Sequence, residues 1–181
     1  MDETEVSKLA LQVAEWDGGS VVTELGYNIK INPKSSLHRR WVVINDPACP
    51  VQLEWAGVNT AYGKQQFHFV QAGAMSSSEE IVALEIRYAL YDFFGRHMKT
   101  LSALSVADMP VGKEDLNVQA QWNAWENELV ALHTAVSFVA HVRTRTGKVW
   151  QYREDQIGEA LMRARIDLSV NNGVLDAVKD K

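Results

Sequence analysis

The chain has 181 residues, of which 46% are hydrophobic and 23% charged, and its formal net charge at pH 7 is −5. This composition is typical of one soluble, folded domain with a sizeable core, and it excludes a disordered chain. No apolar run approaches the roughly 18 residues that a transmembrane helix needs, so we expect no membrane insertion. The acidic balance argues against a nucleic-acid partner, because phosphate binding needs a concentrated basic patch.

Cys49 is the single cysteine, which excludes an intramolecular disulfide and a four-cysteine zinc site. The nearby Asp46 would raise its pKa, so we interpret it as an inert, partly buried thiol rather than a nucleophile. The acidic start, residues 1–5, lacks the basic and apolar regions of a signal peptide. If Met1 is native, a cytoplasmic location follows; if a signal peptide has been removed, the location is periplasmic or extracellular.

The first half of the chain is dominated by an apolar period of two, which predicts half-buried β-strands. Residues 21–31 fit one such strand, which ends before Pro33. Residues 9–13 predict a preceding strand, and a helix over residues 4–14 is the alternative. Further strands are predicted at residues 39–45, 51–58 and 65–71.

The longest predicted strand places five apolar side chains on one face: Val82, Leu84, Ile86, Tyr88 and Leu90. Glu85 and Arg87 lie on its other face, and we interpret them as a solvated charge pair. A carboxylate with its electrostatic partner is the alternative. Residues 98–106 predict the partner strand, and alternation over residues 116–122 predicts another.

A β-hairpin is predicted near the C-terminus, with an inward face formed by Val136, Phe138, Ala140 and Val142. Thr146-Gly147 supplies the turn, and residues 148–152 form the return strand. A two-residue loop would place Arg143 opposite Trp150, and His141 opposite Tyr152.

A helix over residues 155–165 is predicted by apolar positions at Ile157, Ala160, Leu161 and Ala164, with Asp155 as its N-cap. Residues 167–181 are expected to form a polar tail that frays. The chain therefore predicts a β-domain over residues 1–166, including the terminal helix, followed by this tail.

About nine or ten strands with short connections, and no βαβ alternation, predict a mostly β fold, a single antiparallel sandwich. Three stretches carry a resemblance to a known family: residues 90–95, the loop from Asp108 to Gly112, and residues 138–143 with 146–150. Over about residues 80–165 the chain resembles bacterial immunoglobulin-like β-sandwich domains of uncharacterised function. The resemblance implies an immunoglobulin-like fold in a bacterial protein and transfers no active site.

The motifs of common enzyme classes are absent: G-x-S-x-G, G-x-x-x-x-G-K-[ST], G-x-G-x-x-G and H-E-x-x-H do not occur. The five histidines show no i, i+2 or i, i+4 pairing, so we expect no metal and no cofactor. They are His38, His68, His97, His133 and His141. The chain is therefore predicted not to be an enzyme.

The six tryptophans are the unusual feature of the composition. Trp16, Trp41 and Trp55 are expected to complete the core. The candidate ligand-binding residues are Trp122, Trp125, His141, Arg143, Trp150 and Tyr152. In one interpretation they form an open aromatic platform; in the favoured one the C-terminal helix covers Trp150 and Tyr152.

We expect a non-catalytic binding or interaction module with a protein or carbohydrate partner. Two alternatives stay open. One is an enzyme with a site built from histidine and carboxylate side chains, and the other is a carbohydrate-binding module that uses exposed aromatic rings. The sequence does not indicate the oligomeric state.

Overall fold

The structure is a computed structural model that describes residues 20–32, 39–75, 79–109, 115–170 and 172–178. Two helices lie in these residues, α1 (Glu126–Ala131) and α2 (Glu154–Arg163), with a 3-10 helix at Tyr62–Lys64. The strands are β1 (Ser20–Glu24), β2 (Tyr27–Asn32), β3 (Arg40–Asn45), β4 (Val51–Ala61), β5 (Gln66–Met75), β6 (Ile81–Asp92), β7 (His97–Met109), β8 (Asp115–Asn123), β9 (Leu132–Thr144) and β10 (Val149–Gln151). The predicted mostly β fold with a C-terminal helix is confirmed; the strand predicted at residues 9–13 lies outside the described residues.

The main sheet has seven strands in the order β1-β2-β3-β9-β6-β7, with β10 also paired to β9. Two strands pair with the same edge of β9: β3 pairs with residues 134–138, and β10 pairs with residues 141–143. The pair β3–β9 is parallel, whereas every other described pair is antiparallel. The expected purely antiparallel sheet is therefore wrong at this one pairing, and the main sheet is mixed.

The small sheet has three strands in the order β4-β5-β8 and packs against one face of the main sheet. We call the apolar layer between them the inter-sheet core. It contains Trp41 from β3, Leu53 from β4, Phe69 from β5 and Tyr88 from β6, all nearly inaccessible to solvent. The expected core position of Trp41 is confirmed; Trp16 lies outside the described residues, as does the side chain of Trp55.

The second face of the main sheet is covered by α2 and by the residues that follow it. We call residues 166–170 and 172–178 the C-terminal segment. This layer, the helix-side core, is built from main-sheet side chains and from Ile157, Leu161, Val170 and Leu175. Because both of its faces are covered, β3 is buried at five consecutive residues instead of alternating. The prediction of a polar tail that frays is therefore wrong for this segment, since Val170 and Leu175 are 2% and 0% exposed.

Residues 21–31 form a hairpin and not the single predicted strand. Leu25 and Gly26 both have positive φ angles, 51° and 82°, and Glu24 pairs with Tyr27 across them. Two consecutive positive φ angles are those of a type I′ turn, whose twist suits a two-residue hairpin loop. Leucine rarely adopts this conformation, so only Gly26, and not Leu25, is a residue that predicts this turn from the sequence.

Two β-bulges change the predicted faces. In β9, Glu85 pairs with His141 while Ile86 pairs with Val139, so Ala140 is an extra residue. The predicted common face of Val136, Phe138, Ala140 and Val142 is therefore wrong in part. The first three enter the helix-side core and Val142 enters the inter-sheet core.

The second bulge lies at the start of β6, where Val82 is an extra residue relative to β9 between Ile81 and Ala83. It places Ile81 in the inter-sheet core, where the sequence predicts Val82. The other four predicted members of that face, Leu84 to Leu90 in alternation, occupy it as expected.

The predicted C-terminal hairpin is confirmed with a different loop. The Thr144 amide donates to the Lys148 carbonyl and the Gly147 amide donates to the Thr144 carbonyl, both at 3.0 Å. Gly147 has a φ of 89°, so the loop has three residues and closes through a left-handed glycine. Trp150 consequently pairs with Val142, and Gln151 pairs with His141.

The predicted helix exists as α2, and its apolar stripe is buried as expected at Ile157, Ala160 and Leu161. Its N-cap is Arg153, without a side-chain cap hydrogen bond, so the prediction of Asp155 is wrong. The short helix α1 was not anticipated by the sequence pattern. Within the described residues, no helix has both the length and the apolar character needed to cross a membrane.

Candidate functional site

The six predicted ligand-binding residues do not form one surface. Trp122 is half-buried and packs against the inter-sheet core, with its ring centroid 5.5 Å from that of Phe69 and 5.6 Å from that of Tyr88. Trp125 lies beside α1 and is 74% exposed. Arg143 is exposed on β9. The indole of Trp122 is therefore separated from Tyr152 by the main sheet.

Trp150 and Tyr152 lie where α2 meets the main sheet. Tyr152 is only 9% exposed and belongs to the helix-side core with Ile157 and Leu161. Its ring centroid is 5.1 Å from that of Phe138. Trp150 is half-buried and contacts both cores. The interpretation in which the helix covers these rings is confirmed, and the open platform over them is wrong.

His141 and Tyr152 belong to a set of hydrogen-bonded side chains that we call the polar network: Glu85, Arg87, Ser102, His141, Tyr152 and Asp176. Glu85 lies at its centre. Its Oε2 is 2.6 Å from His141 Nδ1, and its Oε1 accepts hydrogen bonds from Arg87 Nε and Ser102 Oγ, both at 2.7 Å. The bulge at Ala140 makes this arrangement possible, because it turns His141 to the face that carries Glu85.

Arg87 connects this network to the C-terminal segment. One terminal nitrogen of its guanidinium donates to the Tyr152 hydroxyl and the Leu175 carbonyl at 3.1 Å, and to Asp176 Oδ1 at 3.3 Å. The Tyr152 hydroxyl donates to the same Asp176 oxygen at 3.0 Å. The predicted solvated pair of Glu85 and Arg87 is therefore wrong, since the two side chains are only 16% and 12% exposed.

The charges of the network stabilise one another. Burial raises the pKa of Glu85. The hydrogen bonds from Arg87, Ser102 and His141 together lower it by a larger amount, so the pKa of Glu85 lies below its ordinary value. Burial, and then the hydrogen bond to Asp176, raise the pKa of Tyr152 to about 12. Glu85 is thus ionised and Tyr152 is neutral near neutral pH.

The network holds parts of catalytic arrangements without completing one. A carboxylate orients the His141 imidazole, as in many general bases. Ser102, however, donates to Glu85 and not to the histidine, so it is not set up as a nucleophile. Among the residues that the structure describes, no group of three His, Cys, Asp or Glu side chains could hold a metal ion.

The other candidate groups are dispersed. His97 contacts Thr100 and His133 contacts Thr134, each at 2.9 Å, whereas His38 lies outside the described residues. Cys49 is 4% exposed, and burial, with a smaller effect of Asp46, raises its pKa to about 12. The expected burial of Cys49 is confirmed, and its inertness stays a prediction that the raised pKa supports.

Trp125 borders a cleft of about 360 Å³, lined by Lys64, Gln65, Lys99, Asn123, Ala124, Trp125 and Glu128. We call it the Trp125 cleft. It lies where β8 ends and α1 begins, opposite the turn that leads into β5. The Ala124 amide donates to the Gln65 carbonyl at 2.8 Å and joins these two parts of the chain. Gln65 has a positive φ of 50°, which marks a tight backbone reversal at the rim.

The backbone of Trp125 is fixed on both sides. Its amide donates to Glu128 Oε2 at 2.8 Å, and its carbonyl accepts from the amides of Glu128 and Leu129 at 3.0 and 3.1 Å. Leu129 is fully buried and anchors α1 in the inter-sheet core. Arg39 donates to the carbonyls of Leu129 and Leu132, both at 3.0 Å, which satisfies the end of this short helix.

Charged side chains frame the cleft, and two of them form an ion pair. Lys99 Nζ lies 2.6 Å from Glu128 Oε1 and 5.8 Å from the ring centroid of Phe67. Lys64 adds a second positive charge at the rim. The cleft thus offers one exposed indole face surrounded by amide, ammonium and carboxylate groups.

A larger cleft of about 760 Å³ lies between α2 and residues 165–170. Its lining contains no aromatic side chain, and its charged members, Asp155, Glu159, Arg165 and Asp167, are all exposed. Small-molecule sites combine apolar or aromatic contact with a few converging polar groups. The Trp125 cleft meets that description better.

Sequence reasoning selected Trp125 but missed its surroundings. Lys64, Lys99 and Glu128 come from three separate elements, and no spacing connects them. The signal that could have been used is Glu128 three residues after Trp125, the position from which a glutamate returns to the first residues of a helix. That pattern predicts the start of α1 and a fixed Trp125.

Comparison of the chain with protein-family models, curated proteins and solved structures finds no match in any of the three. The function is therefore argued from the geometry of the chain alone.

Proposed function

We propose that this protein is a non-catalytic binding module and that the Trp125 cleft is its ligand site. The observation that carries the proposal is an indole ring left 74% exposed on a backbone that three hydrogen bonds hold in place. A rigid aromatic ring contributes contact area at little cost in conformational entropy, which is why tryptophan is frequent at binding hot spots.

The ligand class that this cleft favours is a carbohydrate. The apolar C–H face of a sugar ring can stack on the indole of Trp125, while its hydroxyl groups both donate and accept hydrogen bonds. Asn123 and Gln65 at the rim carry amides that do the same, and Lys64 and Glu128 offer a donor and an acceptor.

We propose further that the fold is related to the immunoglobulin-like sandwiches that the sequence resembles. Two sheets packed face to face support this relationship. The parallel pair β3–β9 is the feature in which this fold departs from the antiparallel sandwich that the sequence predicts.

A glycan screen followed by titration calorimetry tests the binding proposal. Trp125→Ala should weaken binding of any glycan hit by tenfold or more, since tenfold corresponds to about 1.4 kcal/mol and aromatic hot spots contribute about 2 kcal/mol. Phe94→Ala is the matched control, because Phe94 is an aromatic residue 81% exposed in another part of the surface.

Binding that is equally strong in Trp125→Ala and in the wild type would show that the site lies elsewhere. A screen in which peptides bind through Trp125 and glycans do not would keep the site and reject the carbohydrate class.

A second candidate function, an enzyme, is favoured by one observation, the 2.6 Å contact between Glu85 Oε2 and His141 Nδ1. A carboxylate in this position can hold an imidazole ready to accept a proton at Nε2. A panel of chromogenic esters and glycosides would test it, and turnover that disappears in His141→Asn would support it. Ser102 donates to Glu85 and not to His141, and Arg87 is bound to the C-terminal segment, which makes the enzyme the weaker candidate.

A further inference from the structure

β7 is the edge strand at the end of the main sheet opposite β1, and it is long, with 13 residues. Its pairing with β6 is regular from Lys99 to Val106. The Val178 amide donates to the Thr100 carbonyl at 2.9 Å, so this carbonyl points away from β6. Backbone directions alternate along an antiparallel strand, so Ser102, Leu104 and Val106 also direct their amides and carbonyls outward.

The side chains of this edge do not hinder its pairing with another strand. Residues 100–107 contain no charged residue and no proline, the two devices that commonly prevent edge strands from pairing. The other edges differ. β1 has only five residues, and β8 carries Asp115, Asn117, Gln119, Gln121 and Asn123 at alternate positions. β4, the other edge of the small sheet, has a register irregularity between Leu53 and Trp55, and β10 has only three residues. Among the edges that the structure describes, β7 combines length, a regular pairing and exposed apolar side chains.

Two large apolar side chains are exposed beside this edge. Leu104 is 68% exposed and Val106 is 73% exposed. Both lie on the face that carries the C-terminal segment, whose described residues contact β7 at Thr100 and do not cover them. An exposed apolar patch next to unpaired backbone groups is typical of an association surface.

We propose that β7 pairs antiparallel with β7 of a second copy of this chain, so that the two main sheets become continuous. Leu104 of one copy would lie opposite Leu104 of the other, and Ser102 opposite Val106. This register uses the outward groups of residues 102, 104 and 106 and forms about six backbone hydrogen bonds. It also places Leu104 and Val106 of both copies side by side on one face.

A second copy is the partner that the charges favour. In a twofold pairing each side chain meets itself or a residue of the same strand, so any charge near the axis would face a like charge. The uncharged run over residues 100–107 avoids that repulsion. The pairing is isologous, and it closes at two copies because it consumes the edge on both.

The expected dimer is weak, because one strand pair buries less than the ~1,200–2,000 Å² of a standard interface. Sedimentation velocity of the full chain should show a monomer–dimer equilibrium in which the dimer fraction rises with protein concentration. A monomer at concentrations up to 500 μM would overturn the proposal.

Leu104→Lys tests the register directly. It places two ammonium groups across the axis, while its 68% exposure lets the monomer tolerate the change. We expect dimerisation to weaken by at least tenfold. Val21→Lys is the matched control, since Val21 is 58% exposed on β1, the opposite edge of the main sheet, and should leave the equilibrium unchanged. A dimer that survives Leu104→Lys, or that Val21→Lys disrupts equally, would reject this pairing.

Hydrogen exchange supplies an independent measurement. The amides of Ser102, Leu104 and Val106 should exchange more slowly at dimer concentrations than at monomer concentrations, and this difference should vanish in Leu104→Lys. Dimer formation without a change at these three amides would show that the copies associate through another surface.

Discussion

The two faces of the main sheet are covered in different ways, and their polar groups differ accordingly. Of the four buried side-chain atoms with no hydrogen-bond partner in the described part of the chain, Trp41 Nε1, Tyr88 Oη and Ser137 Oγ lie on the inter-sheet side, and Arg40 Nε lies at the start of β3. On the helix-side face, Tyr91 donates to the Ser169 carbonyl at 2.7 Å, Thr100 donates to the Val174 carbonyl at 2.6 Å, and Arg87 donates to the Leu175 carbonyl at 3.1 Å.

The difference follows from what covers each face. A β-sheet satisfies its own backbone groups, so the small sheet offers few free acceptors to the side chains that face it. The C-terminal segment is irregular, and its carbonyl groups need partners once they are buried. Side chains of β6 and β7 supply those partners, so on this face polar contacts and apolar burial act together.

The largest expected effect is that of removing the whole cover. Deleting residues 155–181 strips Ile157, Leu161, Val170 and Leu175 from the helix-side core and exposes Tyr152. We expect tryptophan emission to shift to the red, because Trp150 loses neighbours, and the protein to aggregate through the bare apolar face. Fluorescence and sedimentation measure both changes. A soluble truncated protein with unchanged emission would show that the cover is not part of the core.

A single buried leucine tests whether the C-terminal segment is as firmly packed as the small sheet. Leu175→Ala should lower the free energy of unfolding by about 2–5 kcal/mol, the same range as Leu53→Ala, because each residue is 0% exposed. Val178→Ala is the control, since Val178 is 57% exposed and should change stability by less than about 0.5 kcal/mol. Denaturant titration measures all three, and a Leu175→Ala value near that of the control would contradict the comparison.

The polar network predicts a pH dependence specific to the helix-side face. The pKa of Glu85 is lower in the folded state than its ordinary value of 4.5, so its contribution to stability is fully present above pH 4.5. That contribution is lost as the pH falls through the folded pKa, where the unfolded chain already binds the proton.

Glu85→Gln should therefore lower stability by about 1–3 kcal/mol at pH 7, because charge-assisted hydrogen bonds become neutral ones. The deficit should shrink as the pH is lowered from 5 towards 3. Chemical denaturation at each pH measures it, and a deficit that stays constant with pH would mean that the Glu85 charge is not responsible. Glu54→Gln, at an exposed position of β4, is the control.

The smallest expected effect is a matched pair of tyrosine substitutions on β6. Tyr91→Phe removes the hydrogen bond that the Tyr91 hydroxyl donates to the Ser169 carbonyl and should cost about 1 kcal/mol, the usual net contribution of one hydrogen bond. Tyr88→Phe removes a buried hydroxyl that lacks a partner and should leave stability unchanged or raise it by up to about 1 kcal/mol. Equal losses in both variants would mean that the Tyr88 hydroxyl has a partner, and the contrast between the two faces would disappear.

The candidate site was accessible to sequence reasoning only in part. Trp125 could be selected because tryptophan is rare and its neighbours in sequence are polar. Its cleft could not, since Lys64 and Lys99 reach it from other elements. Likewise, Glu85 and Arg87 could be placed on one face by their spacing of two. The contact of Glu85 with His141 spans 56 positions and depends on one extra residue in β9.

By itself, the sequence determined the local structure of this protein. Apolar alternation determined most strands, Thr146-Gly147 determined a hairpin, and the stripe from Ile157 to Leu161 determined a helix, because these patterns act between residues close together in the chain. Only the tertiary structure decided that β3 runs parallel to β9, that the tail covers a sheet face, and that Val142 and Ala140 enter different cores. Those outcomes depend on which distant segments exclude water together, and burial depends on the area covered and not on position along the chain.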